Sequence, residues 1–298
     1  MILHKSVLLQ EAVSYLDVTS NHNYIDATLG GGGHTEAILD RNGPHGKVVA
    51  FELDDRTMRK TRIKLARFSP RLIIMRQNFS NLSIITRLRI PFSGILYDLG
   101  LSTDLIKKSG RGFSFLQNEP LDMRFSVNQR LDAREIVNSY SQTDLTKVIR
   151  EYGEERFALS IARHICETRK RKPILTSGDL VEVIEKSVPG RYRHGRIHCA
   201  TRTFQALRIV VNDELESLRK SLSSAIDVLG PNARIVVISF HSLEDRIVKH
   251  YFRQLKIEGR AEILTKKPIT ASKEECEANP NARSAKLRAI QCLPSIKT

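Results

Sequence analysis

Tyr24-Ile25-Asp26-Ala27-Thr28-Leu29-Gly30-Gly31-Gly32-Gly33-His34-Thr35 is the stretch that decides how this 298-residue chain folds. Residues 24–28 are β-prone, four glycines follow, and Thr35-Glu36-Ala37-Ile38-Leu39 starts a helix. A strand that dissolves into glycine and restarts as a helix cradles ligands. Backbone without Cβ atoms takes positive φ and lies directly against a bound molecule, and the helix start offers unpaired N–H groups to it. The spacing is neither the dinucleotide GxGxxG nor the triphosphate GxxxxGK[ST]. A plain flexible turn is the alternative.

The next strand argues for a ligand. Lys47-Val48-Val49-Ala50-Phe51 runs into Glu52, with Asp54 and Asp55 just after. An acid at the tip of the second strand, about 20 residues past the loop, is where doubly wound folds grip ribose hydroxyls. Loop and acid together suggest a nucleoside cofactor without a pyrophosphate, a description that S-adenosylmethionine fits.

Strands and helices go on alternating. Residues 56–68 read as a basic helix, Arg71-Leu72-Ile73-Ile74-Met75 as a third strand, 79–88 as a third helix and Gly94-Ile95-Leu96-Tyr97-Asp98 as a fourth strand. The rhythm predicts an α/β fold with a mostly parallel sheet and helices on both faces. Ligands sit outside the carboxyl ends of such strands, where Gly32, Gly33, Glu52, Phe79 and Asp98 all fall. Before the loop, 4–16 reads as a short helix capped by Ser6.

Between 105 and 199 the strands disappear, leaving helices near 132–138, 143–151, 154–170 and 176–187. This predicts a helical domain at 105–199 inserted into a cofactor-binding domain formed by 1–104 and 200–298. One long helix is expected over 201–228, carrying the stripe Phe204, Leu207, Val211, Leu215, Leu218 and Leu222. Thr201, Gln205, Arg208 and Asn212 flank it, as boundary positions or as a cleft lining. A strand at 234–239, a helix at 243–255 and strands near 261–265 and 287–292 complete the chain.

Charge narrows the partners. Lys and Arg total 48 against 33 acids, a formal +15, which is the electrostatic footprint of a nucleic-acid binder. Arg191-Tyr192-Arg193-His194-Gly195-Arg196 interleaves an aromatic with arginines, which suits RNA. The cluster at 169–172 reads equally well as a solvated face. No apolar run approaches the roughly 20 residues of a membrane span, and the first residues lack the build of a signal peptide. Four scattered cysteines without a CxxC pair argue for reduced thiols in the cytoplasm and against a metal site.

The motifs resemble those of the RsmH (MraW) family, cytosine-N4 methyltransferases of small-subunit ribosomal RNA. Matching blocks run the length of the chain: 4–9, 26–35, Asp98-Leu99-Gly100-Leu101-Ser102, 111–115, 120–124, 152–157, 200–212, 239–249 and 279–288. The resemblance implies a class I (Rossmann-like) methyltransferase sheet with an inserted all-helical domain, and S-adenosylmethionine as cofactor. It implies that Gly32, Gly33 and His34 hold the methionine part and Glu52 the ribose, while Phe79 and Asp98 flank the adenosine and the reaction centre. Departures are Glu52 for the usual aspartate, Asp104-Leu105 for a Pro-Gln pair, and Lys107 and Lys108 for acids.

Asp98 is the candidate proton acceptor. Cytosine's amine is a poor nucleophile, because its lone pair is delocalised into the ring, and an acceptor at the amine restores it. The turn after Asp98 carries no aromatic, so Phe113, Phe115 and Phe240 are the candidate base platforms. Arg191, Arg193 and Arg196 are the candidate RNA contacts, offsetting the cost of unstacking a base. The expected partner is small-subunit ribosomal RNA or the small subunit itself. A homodimer is compatible with the sequence. The rival readings are an assembly factor that retains the fold and binds RNA without turnover, an amino-methyltransferase acting on another nucleic acid such as DNA, and a methyltransferase of a small molecule.

Overall fold

Seven strands hydrogen-bond into one sheet: β1 (Tyr24–Asp26), β2 (Val48–Phe51), β3 (Leu72–Met75), β4 (Phe92–Asp98), β5 (Leu229–Ser239), β6 (Ala261–Ile263) and β7 (Lys286–Cys292). Their order is β3-β2-β1-β4-β5-β7-β6. The first five pair in parallel, and β7 and β6 close the edge antiparallel. The chain leaves β1 outward to β2 and β3, then crosses back to lay β4 on the other flank of β1. The order reverses between β1 and β4, and such a reversal opens a crevice at the carboxyl ends of the strands.

The computed structural model describes residues 6–101, 105–106 and 109–294. Expectations that fall on His4, Lys5, Ser102, Asp104, Lys107 and Lys108 lie outside the described residues. The chain forms two compact units, one of Met1–Ser102 with Leu215–Thr298 and one of Thr103–Glu214. The second break falls near 214, where the sequence suggested 200.

In the sheet unit, α1 (Leu9–Leu16) precedes β1, α2 (Gly33–Arg41) connects β1 to β2 and α3 (Asp55–Lys64) lies between β2 and β3. Strand side chains alternate between two buried layers. Ile25, Val49, Phe51, Ile95 and Tyr97 share one with Leu218, Leu222, Val248 and Phe252. Tyr24, Val48, Ala50 and Leu96 share the other with Leu8, Ile38, Leu39 and Leu65. Burial on both faces explains why these strands are written as continuous apolar runs.

The helical unit contains α4 (Ala133–Ser139), α5 (Gln142–Gly153), α6 (Ala158–Arg169), α7 (Ser177–Ser187), α8 (Gly190–Arg193) and α9 (Thr201–Asn212). Asp132, Ser141 and Thr176 cap α4, α5 and α7 with side-chain oxygens, satisfying N–H groups that a first turn leaves unpaired. The loop before α4 is a folded element. Arg111 donates to the carbonyls of Arg124 and Phe125, and Asn212 donates to Met123 O and accepts Phe125 N–H. The chain returns to the sheet through α10 (Glu214–Val228), followed by α11 (Ser242–Ile257) and α12 (Lys273–Ala278). Among the described residues no helix is long and apolar enough to cross a membrane.

Three local expectations are corrected. Ser6 caps nothing: α1 starts after Leu8, which sits at φ 51° without a side-chain cap, and the Leu8 N–H is taken by Glu275 Oε1 at 2.7 Å. Residues Phe79–Leu88 form a 3-10 helix interrupted at Asn81, consistent with a sequence rich in Ser, Asn and β-branched residues. The helix expected over 201–228 is two helices, broken at Asp213 in the left-handed region at φ 49°. Gln205 and Arg208 are engaged with Tyr152 O and Glu214, so the flank they form is tied down within the helical unit.

Tyr97 is buried completely, and its hydroxyl meets Ser221 Oγ at 2.8 Å. Tyr97→Phe strands the Ser221 hydroxyl in the core, so urea unfolding is expected to show a loss of about 1–3 kcal/mol with an unchanged m-value.

Candidate functional site

Asp26 closes the glycine loop on itself. It is 1% exposed, and its carboxylate accepts the Thr28 N–H at 3.0 Å and the Thr35 hydroxyl at 2.6 Å. Burial pushes its carboxyl above the usual range, against the lowering effect of these bonds. From α3, the Thr61 hydroxyl donates to Gly30 O at 2.7 Å and Lys64 to Gly31 O at 3.1 Å. Gly32 has φ +73°, and a Cβ there would stand 2.5 Å from Thr61 Cγ2. A Cβ on Gly33 would overlap the Ser6 hydroxyl. Glycine is therefore favoured at Gly32 by conformation as well as by contact, and at Gly33 by contact alone.

Glu52 follows β2 and reaches back to this loop. Its Oε2 accepts Gly30 N–H at 3.1 Å and its Oε1 accepts Asp54 N–H at 2.8 Å. Burial pushes the Glu52 carboxyl up to about 7 despite these bonds.

Asp98 ends β4, and its N–H donates to Thr28 Oγ1 at 2.7 Å. His34 Nδ1 lies 3.4 Å from Asp98 Oδ2, and His34 Nε2 lies 3.1 Å from Val7 O. Asp98 Oδ1 is buried without a hydrogen-bond partner. An orphaned acceptor of this kind costs stability until a donor arrives. Ser6, Val7 and 28–34 line a cleft here together with Asp98, Gly100, Leu101, Phe240, Asn279 and Asn281. The Phe240 ring lies so close to Gly100 that a Cβ there would stand 2.7 Å from it. A glycine floor, an aromatic wall and an unused carboxylate oxygen suit a ligand that brings backbone-compatible contacts, a flat ring and an N–H or cationic group.

Gly32, Gly33, His34 and Asp98 all line the cleft, and Glu52 is joined to it through Gly30. Phe79 is half-buried against the core, its ring edge-on to Tyr97 at 5.9 Å. Leu105 is buried. In the helical unit Arg191 and Arg196 are exposed, whereas Arg193 donates to Glu185 O at 2.6 Å. Phe113 stacks on Phe125, and Phe115 stacks on His198. Sequence reasoning assigned no role to Ser6 or Val7 beyond a helix start, nor to Asn279 and Asn281. A backbone carbonyl such as that of Val7 leaves no trace in residue identity.

The chain matches the MraW methylase family over residues 1–293. It is 45% identical over 290 residues to the ribosomal RNA small subunit methyltransferase H of Sulfurihydrogenibium sp. (strain YO3AOP1), covering 97% of this chain and 98% of that protein. It is 44% identical over 293 residues to the protein of the same name from Persephonella marina, covering 98% and 99%.

Glu52 sets a pH dependence with a defined sign. Its folded pKa of about 7 exceeds the ordinary 4.5, so the folded chain keeps a proton there that the unfolded chain sheds. Its contribution is complete below about pH 4.5 and is lost as pH rises through 7, by at most about 3 kcal/mol. Urea midpoints at about pH 5 and pH 8 are expected to fall further in the wild type than in Glu52→Gln.

Proposed function

We propose that this chain, which belongs to the MraW methylase family, transfers a methyl group from S-adenosylmethionine to the exocyclic N4 amine of a cytidine in the decoding region of small-subunit ribosomal RNA, acting in the cytoplasm. The observation that carries the chemistry is the buried, unpartnered Asp98 Oδ1 beside a glycine-floored cleft. The names of the relatives support ribosomal RNA as the substrate, and so does the +15 charge.

Gly32, Gly33 and His34 would hold the methionine part of the cofactor, Glu52 the ribose diol, and Phe79 with Asp98 the adenosine and the reaction centre. Glu52 suits the diol because both of its oxygens are already oriented by N–H donors and retain lone pairs. When bound, S-adenosylmethionine supplies an electrophilic methyl on a sulfonium that leaves as a neutral thioether. Asp98 Oδ1 accepts the amine N–H, which localises the nitrogen lone pair, and takes up the proton the amine sheds. Alignment is the rest of the catalysis. Phe113 and Phe115 are engaged with Phe125 and His198, so Phe240 on the cleft wall is the platform for the base.

RNA contacts are assigned to Arg191 and Arg196 of the helical unit. Arg193 is already spent on a backbone carbonyl, and its part is to hold the segment in shape.

Purified small subunits incubated with methyl-labelled S-adenosylmethionine are expected to acquire label on one cytidine, located by mass spectrometry of nuclease fragments. Asp98→Asn should cut single-turnover transfer by about 10²-fold or more. Full activity of that variant would remove Asp98 from the chemistry, and cofactor binding without any transfer would favour a non-catalytic RNA-binding role. Removing Arg191 and Arg196 together is expected to weaken RNA binding and shallow its salt dependence by about one unit of slope per lost phosphate contact. Cofactor affinity should stay unchanged, while Arg193→Ala should lower thermal stability instead.

A further inference from the structure

The His34–Asp98 contact holds a constraint that residue identity does not convey. A peptide carbonyl only accepts hydrogen bonds, so the 3.1 Å approach of His34 Nε2 to Val7 O places a proton on Nε2. In a neutral imidazole the other nitrogen is then bare. At 3.4 Å, Nδ1 would turn its lone pair toward Asp98 Oδ2, lone pair against lone pair at a site where His34 is 5% exposed. One further proton between Nδ1 and Oδ2 converts this repulsion into a charge-assisted hydrogen bond. The charged groups facing the ring are Asp98 from β4 and Asp26 from β1. Burial pulls the imidazole down, but the hydrogen bond and charge of Asp98, the charge of Asp26 and the Val7 carbonyl outweigh it, and the net direction is upward. The first turn of α2 opposes a cation, yet a carboxylate in direct contact is the stronger influence.

We infer that His34 is a positioning residue: clamped between Val7 O and Asp98 Oδ2 as a doubly protonated imidazolium, it fixes the Asp98 carboxylate with Oδ1 left over to receive the amine N–H. Two anchors hold Asp98, the imidazolium on Oδ2 and the Thr28 hydroxyl on its N–H. Oδ1 remains buried and unpartnered. The role in transfer rests on the proposed reaction, but the proton inventory does not. During transfer the N–C bond forms as the S–C bond breaks with its electron pair going to sulfur, the amine proton passes to Asp98 Oδ1, and His34 keeps both of its own.

Nitrogen NMR of the ligand-free protein labelled at histidine reads the inventory directly. His34 is expected to show two protonated ring nitrogens at about pH 7.5, where free histidine is mostly neutral. In Asp98→Asn it should revert to the neutral Nε2–H form. A wild-type His34 that is neutral at that pH overturns the inference. In single-turnover assays at saturating cofactor, with cofactor affinity measured separately, His34→Gln is expected to lose about tenfold to hundredfold in rate and to lose the alkaline limb of the wild-type pH profile. An unchanged rate and profile in that variant overturn the positioning role. Failure of the wild-type chain to methylate RNA would overturn the proposed reaction instead, and the NMR result would still decide the His34 proton.

Discussion

Two neighbouring parallel strands each end in an aspartate, and placing both beside one loop, Asp26 buried and Asp98 half-buried, is the constraint around which the site is built. Buried carboxylates persist only with donors around them. Asp26 takes the Thr28 N–H and the Thr35 hydroxyl, which ties the last residue of β1 to the first turn of α2. Asp98 takes His34, while its own N–H is received by the Thr28 hydroxyl. Thr28 thus serves both acids, one with its N–H and one with its oxygen. The four glycines have little freedom left once these bonds are made.

The same loop is also fixed sterically. Thr61 and Leu65 crowd one side of Gly32, and the Ser6 hydroxyl crowds Gly33. The segment that supplies Ser6 and Val7 is held in turn by Glu275 of α12 on the Leu8 N–H, a contact between residues 267 positions apart. Asn279 and Asn281, just beyond α12, line the cleft as well. Both ends of the chain therefore contribute to the wall of a site whose floor is a local motif.

Arginine does two kinds of work in the helical unit. Arg111, Arg169 and Arg193 put their guanidinium groups on backbone carbonyls within the unit, and Arg124 does so while gripping Asp122 with two further bonds. The planar five-donor fork suits this task, since several carbonyls can be satisfied at once. A formal charge of +15 consequently overstates what is free to meet phosphate, and the exposed Arg191 and Arg196 stand apart from their neighbour Arg193 for that reason.

What the sequence by itself determined is whatever depends on near neighbours. The strand 94–98 ending in Asp98, the glycine loop with Glu52 following β2, and the helices started by Asp132, Ser141 and Thr176 are all written in spacings of a few residues. The tertiary structure alone decided the rest. The stripe from Phe204 to Leu222 keeps its helical period across Asp213, so nothing local announces the break. It occurs because Phe204, Leu207 and Val211 are buried in one unit while Leu218 and Leu222 belong to the core of the other. The proton on His34 is of the same kind, for it is set by a carbonyl 27 residues away whose side chain plays no part. Periodicity and propensity report on side chains within one element, whereas a buried backbone acceptor or a change of core is a property of chain segments brought together only by folding.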